Sequence, residues 1–128
     1  NVISINGGVQ LDLMGQENAE SAGTRQLSGV GGQMDFLEGA FRSKGGKGFI
    51  CINSSRITKD GERRSNILPT IPGGSTISAP RTMIDYVATE YGVVSLMGKS
   101  LRERAEAMAS IAHPDFREEL LQYAHDHF

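Results

Sequence analysis

The chain has 128 residues, a formal net charge of −2, 38% hydrophobic and 22% charged residues, and one cysteine. This balance suits one globular domain rather than a disordered tail, and the length allows a core without disulfides. It excludes an apolar run of the roughly 18 residues that span a bilayer, and interspersed charges give no general electrostatic reason to bind nucleic acid.

In chain order, Val2-Ile3-Ser4-Ile5 and Val9-Gln10-Leu11-Asp12-Leu13 read as strands. Asn6-Gly7-Gly8 between them predicts a hairpin, because Asn and Gly tolerate positive φ. A polar, glycine-bearing loop is expected from about Gly15 to Ser28. Gly29-Val30-Gly31-Gly32 then opens a helix whose apolar residues Met34, Leu37, Ala40 and Phe41 recur at helical spacing. Ser43-Lys44-Gly45-Gly46-Lys47-Gly48 breaks it. Phe49-Ile50-Cys51-Ile52 reads as a buried strand, with Cys51 a buried, reduced thiol.

Lys59 to Arg64 is a charged turn, and Asn66-Ile67-Leu68, Thr76-Ile77-Ser78 and Tyr86-Val87-Ala88-Thr89 are strand candidates. Ser100-Leu101-Arg102-Glu103 has the form of a capping box, with apolar residues at 101, 105, 108, 109 and 112 behind it. His113-Pro114-Asp115 ends that helix and starts another, whose inner face carries Phe116, Leu120, Tyr123 and Ala124. The expected fold is α/β over residues 1–128, a mixed β-sheet flanked by helices with two C-terminal helices.

Chemistry concentrates in few places. Three glycines in four residues before a helix expose bare backbone N–H groups beside the helix's positive dipole end. Gly29, Gly31 and Gly32 could therefore hold a phosphate or a developing oxyanion, or could form no more than a tight turn. The spacing fits neither the Walker pattern nor the dinucleotide fingerprint. Lys44 and Lys47 could contact phosphate, or could be solvated cations at a helix C-terminus. Glu90 follows an apolar strand, where an α/β sheet commonly opens a ligand crevice; the alternative is a carboxylate bonded to backbone amides. His125-Asp126-His127 lacks a third spaced ligand, so no metal site is expected.

Taken in order, these segments resemble the C-terminal region of the acetyl-CoA hydrolase and 4-hydroxybutyrate CoA-transferase family. The resemblance runs through Asp12-Leu13-Met14-Gly15-Gln16, Ser28 to Phe36, Ser43-Lys44-Gly45-Gly46-Lys47 and Ala79-Pro80-Arg81. It continues through Asp85 to Val93, Gly98 to Ala105 and Ile111 to Arg117. Cys51-Ile52-Asn53 and the charged loop after it depart from the pattern. The resemblance implies a CoA-transferase-like fold. It also implies a glutamate nucleophile that attacks an acyl-CoA thioester and becomes an enzyme glutamyl-CoA thioester, which a short-chain carboxylate or water resolves. That glutamate belongs to a segment upstream of the matched region, so the chain is expected to be a fragment, inactive alone.

By the same resemblance, Gly31 and Gly32 are the expected backbone oxyanion donors. Gly29, Gln33, Lys44 and Lys47 are expected at the coenzyme A site, with Glu90 and Tyr91 in matching motifs. Coenzyme A and acyl-CoA would be substrates, with no permanently bound cofactor. The expected partners are the upstream domain of the same protein and further copies of it, in the cytoplasm. The alternatives are a non-catalytic CoA- or nucleotide-binding module, or an oligomerisation piece whose glycine loops are turns.

Overall fold

The computed structural model describes all 128 residues. Its main sheet joins β1 (Ile3–Gly7), β6 (Lys47–Cys51), β10 (Tyr86–Thr89) and β11 (Gly92–Ser95), in the order β1-β6-β10-β11. β6 runs parallel to both β1 and β10, whereas β11 turns back antiparallel to β10. Three small sheets lie around it. β2 (Gln10–Asp12) sits between β3 (Glu17–Asn18) and β9 (Ile67–Leu68), β4 (Ser21–Ala22) pairs β5 (Arg25–Gln26), and β7 (Ser55–Ile57) pairs β8 (Arg63–Ser65). The expected mixed α/β architecture is present.

The Phe49–Ile52 run supplies the central strand, and Ile50 is fully buried there. α1 (Gln33–Arg42) packs on β1 and β6 through Leu37 and Ala40, which meet the strand at Gly48. α2 (Leu101–Ser110) and α3 (Pro114–His127) pack on each other. Ala105, Met108, Ala109, Leu120 and Ala124 join Leu11, Leu13, Ile67, Ile84, Val87 and Leu96 in one core. Burying a Leu, Ile or Met side chain there contributes about 1.5–3 kcal/mol. The capping box forms: Ser100 Oγ accepts from Glu103 N at 3.2 Å, and Ser100 N donates to Glu103 Oε2 at 2.7 Å. His113 Nδ1 accepts from Asp115 N at 3.2 Å, which makes His113 the N-cap of α3 at the junction of the last two helices.

Five expectations are corrected. There is no hairpin at Asn6-Gly7-Gly8. β1 and β2 belong to different sheets, and neither glycine has positive φ, so the chain runs on instead of reversing. Gly8 is required by a close approach, because a Cβ there would lie 2.5 Å from Glu17 Oε2. The 15–28 stretch, expected as a polar loop, holds three short strands and fully buries Glu17 and Asn18. Thr76-Ile77-Ser78 forms no strand, since Ser78 N and Ala79 N both turn to the Glu17 carbonyl. Phe41 is 61% exposed, because Leu37 and Ala40 already fill the contact with β6. Cys51 is half-buried. No helix is long and apolar enough to cross a membrane.

Candidate functional site

Three parallel strands end level with one another. Gly7 and Ala88 both pair with Cys51, so the carboxyl ends of β1, β6 and β10 form a single edge. A cleft of about 400 Å³ opens there, lined by Gly8, Cys51, Ile52, Asn53, Ala88, Thr89 and Glu90. This is where a parallel sheet leaves backbone groups beyond its last ladder bonds and can receive a ligand. Gly8 N still donates to Cys51 O at 3.2 Å, and Ile52 N to Ala88 O at 3.1 Å, which closes the floor.

Glu90 is the carboxylate of this cleft. Its Oε1 accepts from Ser54 N at 2.8 Å, so the backbone-bonded reading and the crevice reading describe the same side chain. Glu90 is exposed, and the slight desolvation it does undergo opposes ionisation. The Ser54 N–H, a second backbone N–H and the nearby His113 outweigh it and hold the carboxyl below its ordinary range. Glu90 is therefore a carboxylate at neutral pH.

The glycine loop reaches the same edge by topology. The segment after α1 turns at Gly46, whose N donates to Ser43 O, and enters β6 at Lys47. Helix and strand thus run in opposite directions, and the first turn of α1 lies toward the strands' carboxyl ends. Gly31 has φ +62, a conformation that glycine adopts without strain. No side chain caps α1, and no group of the chain accepts a hydrogen bond from the N–H of Gly31 or Gly32. Gly29, Gly31 and Gly32 are exposed, and a Cβ at Gly29 or Gly31 would meet nothing within 4 Å. The loop is thus an open set of unused donors at a positive dipole end.

Gln33 behaves differently. It is 8% exposed, and its Nε2 donates to both Glu17 oxygens, at 2.7 and 2.6 Å. Its amide is thus spent inward on β3. Glu17 itself is fully buried, and its carboxyl is pushed up from 4.5 to about 7. Burial is the main cause; the Gln33 amide opposes it and the Glu20 carboxylate adds to it. Sequence reasoning passed over Glu17 and Gly8, because neither stands in a pattern that marks a site.

Lys44 and Lys47 are exposed and lie beyond the other end of α1. A helix of 10 residues is about 15 Å long, so the lysines and the glycine loop are separate places in the fold. Tyr91 follows Glu90, with its ring edge-on to His113 at 5.8 Å and the Arg117 guanidinium 5.0 Å from its centre.

The sequence pattern of the acetyl-CoA hydrolase/transferase C-terminal domain matches residues 1–124. The butyryl-CoA:acetate CoA-transferase of Anaerostipes caccae is 49% identical over 124 residues, which cover 97% of this chain and 28% of that protein. The 4-hydroxybutyrate coenzyme A transferase of Clostridium kluyveri is 52% identical, over 94% of this chain and 28% of its own length. The acetyl-CoA hydrolase of Kluyveromyces lactis is 32% identical, over 95% and 22%. The solved structure of RipA from Yersinia pestis superposes with a TM-score of 0.84 at 43% identity, covering 97% of this chain and 27% of that one. The chain thus spans less than a third of the length of the relatives it matches.

Proposed function

The chain belongs to the acetyl-CoA hydrolase/transferase family as its C-terminal domain, and from that premise we propose that its parent protein moves coenzyme A between short-chain carboxylates. Transfer is favoured over hydrolysis because the relatives near half identical bear transferase names, whereas the hydrolase stands at 32%. Coenzyme A enters as a substrate thioester and not as a resident group.

In this reading a glutamate outside residues 1–128 attacks the acyl-CoA carbonyl. The thiolate that leaves then attacks the resulting acyl-glutamyl anhydride, releasing the first carboxylate and leaving a glutamyl-CoA thioester. An acceptor carboxylate reverses both steps. Each attack creates an oxyanion, and an oxyanion needs donors already in place. The observation that carries the proposal is the glycine loop, whose Gly31 and Gly32 N–H groups are open and bonded to nothing.

Glu90 contributes a fixed negative charge at the neighbouring cleft, where it can order a substrate hydroxyl or amide. Lys44 and Lys47 would meet the phosphates of a coenzyme A laid along α1. Neither role needs the lysines at the reacting centre. The upstream domain would complete the site, and assembly with further copies is part of the same proposal.

The test uses the full-length protein. Incubation with acetyl-CoA and peptide mass mapping should place a CoA adduct on a glutamate outside this domain. Gly32 has φ −93, so Gly32→Val adds a side chain over the donors without backbone strain. Turnover should fall about 10²- to 10³-fold, the loss typical of one oxyanion donor. An adduct on Glu90, or unchanged turnover in Gly32→Val, would sink the assignment.

A further inference from the structure

We propose that Glu17 is a positioning residue for the transfer reaction: through Gln33 it fixes the glycine loop against the cleft wall at Gly8. The inference rests on the proposed transfer chemistry and concerns a side chain which that chemistry does not itself use.

Glu17 is held on every side. Its N donates to Ala79 O at 3.1 Å, and its own carbonyl accepts from Ser78 N at 2.7 Å and Ala79 N at 3.3 Å. On the other side it pairs with Leu11 of β2, which is fully buried. The backbone is thus a fixed platform, and its side chain reaches two functional walls. One oxygen lies 2.5 Å from where a Gly8 Cβ would stand, and Gly8 lines the cleft that holds Glu90. Both oxygens take the amide of Gln33, the first residue of α1.

The need for such a tie follows from the loop. A Cβ at Gly29 or Gly31 would meet nothing within 4 Å, α1 has no side-chain cap, and Phe36, the ring beside Gly32, is 62% exposed. An N-terminal turn with those properties frays, because nothing local fixes its first residues. The paired hydrogen bonds from Gln33 to Glu17 are the side-chain tether that this turn has to the sheet. A misplaced oxyanion donor loses its value within about 1 Å, so the tether acts on the rate without touching substrate.

The experiment compares three forms of the full-length protein: wild type, Glu17→Gln, and the swap Glu17→Gln with Gln33→Glu. In Glu17→Gln two amides face each other, and the second acceptor oxygen is lost. The swap places the amide on β3 and the carboxylate on α1. The tether then re-forms with donor and acceptor exchanged, and a carboxylate in the first turn also suits a helix N-terminus. Two readouts are taken: acyl-CoA transfer kinetics, and hydrogen exchange at Phe36 and Leu37, the first paired amides of α1. Glu17→Gln should lose about 100-fold in kcat with KM for acyl-CoA unchanged, and its Phe36 amide should exchange faster. The swap should restore both.

A Glu17→Gln protein with wild-type kcat and exchange overturns the inference. Where Glu17→Gln fails to fold, the swap decides: a folded swap that stays slow overturns it as well. A wild type that transfers no CoA defeats the proposed function instead, and the exchange comparison then decides the tether by itself.

Discussion

Glu17 makes stability depend on pH, and the dependence can be worked from its surroundings. Its carboxyl moves from 4.5 to about 7 on folding, chiefly through burial. Between those values the native state holds a proton that the unfolded chain has released. Stability therefore falls as pH rises through this window, and Glu17 adds no further slope well above it. Between pH 5 and pH 8 the loss is roughly 2–3 kcal/mol, at 1.36 kcal/mol per pKa unit. For a chain of this size that is about 10 °C in Tm. The charged neighbour that contributes is Glu20, which adds to the upward shift. The assay is urea unfolding of the 128-residue chain at pH 5, 6, 7 and 8, for wild type and for Glu17→Gln. Glutamine does not titrate, so the difference between the two curves isolates Glu17 from every histidine. The wild type should lose stability relative to the variant as pH rises. Parallel curves would refute the reasoning, because the buried carboxyl would then titrate as it does in the unfolded chain.

Two further outcomes follow from close contacts. Gly8→Ala should destabilise by about 1–3 kcal/mol in urea unfolding, because the new Cβ would stand 2.5 Å from Glu17 Oε2 and 3.2 Å from Ile52 Cγ2; adding Glu17→Ala should recover part of that loss, measured as a double-mutant coupling. Ser100→Ala removes one half of the α2 capping box and should cost about 1 kcal/mol, seen as a lowered thermal midpoint with unchanged helix content at 25 °C.

What was legible in the sequence is what local chemistry decides. The apolar run at Phe49–Ile52 could hardly lie anywhere but between two strands, and β6 lies there. Ser100 and Glu103 satisfy each other within one turn, so their spacing sufficed. The places of the glycine loop before α1 and of Glu90 after β10 were also visible, because a glycine run that gives way to helical spacing and a carboxylate that ends an apolar run both mark element boundaries. Asn6-Gly7-Gly8 misled for a physical reason. Glycine serves two needs, positive φ and close approach, and the sequence does not say which applies. Gly8 meets the second, and its partner Glu17 comes to it through the fold.

Glu17 was illegible for the same reason, and more completely. A buried carboxylate is costly unless something receives it. Its receiver, Gln33, lies 16 residues along the chain and on another element. In sequence Gln33 reads as part of a glycine motif that faces a ligand, and Glu17 reads as one polar residue in a polar loop. The structure reverses both: the glutamine faces inward, and the glutamate is 0% exposed. The two buried side chains satisfy each other's hydrogen bonding, and the pair spans the gap between the small sheet and the helix. The glycines of the loop stay exposed while the residue that follows them is tied inward to Glu17.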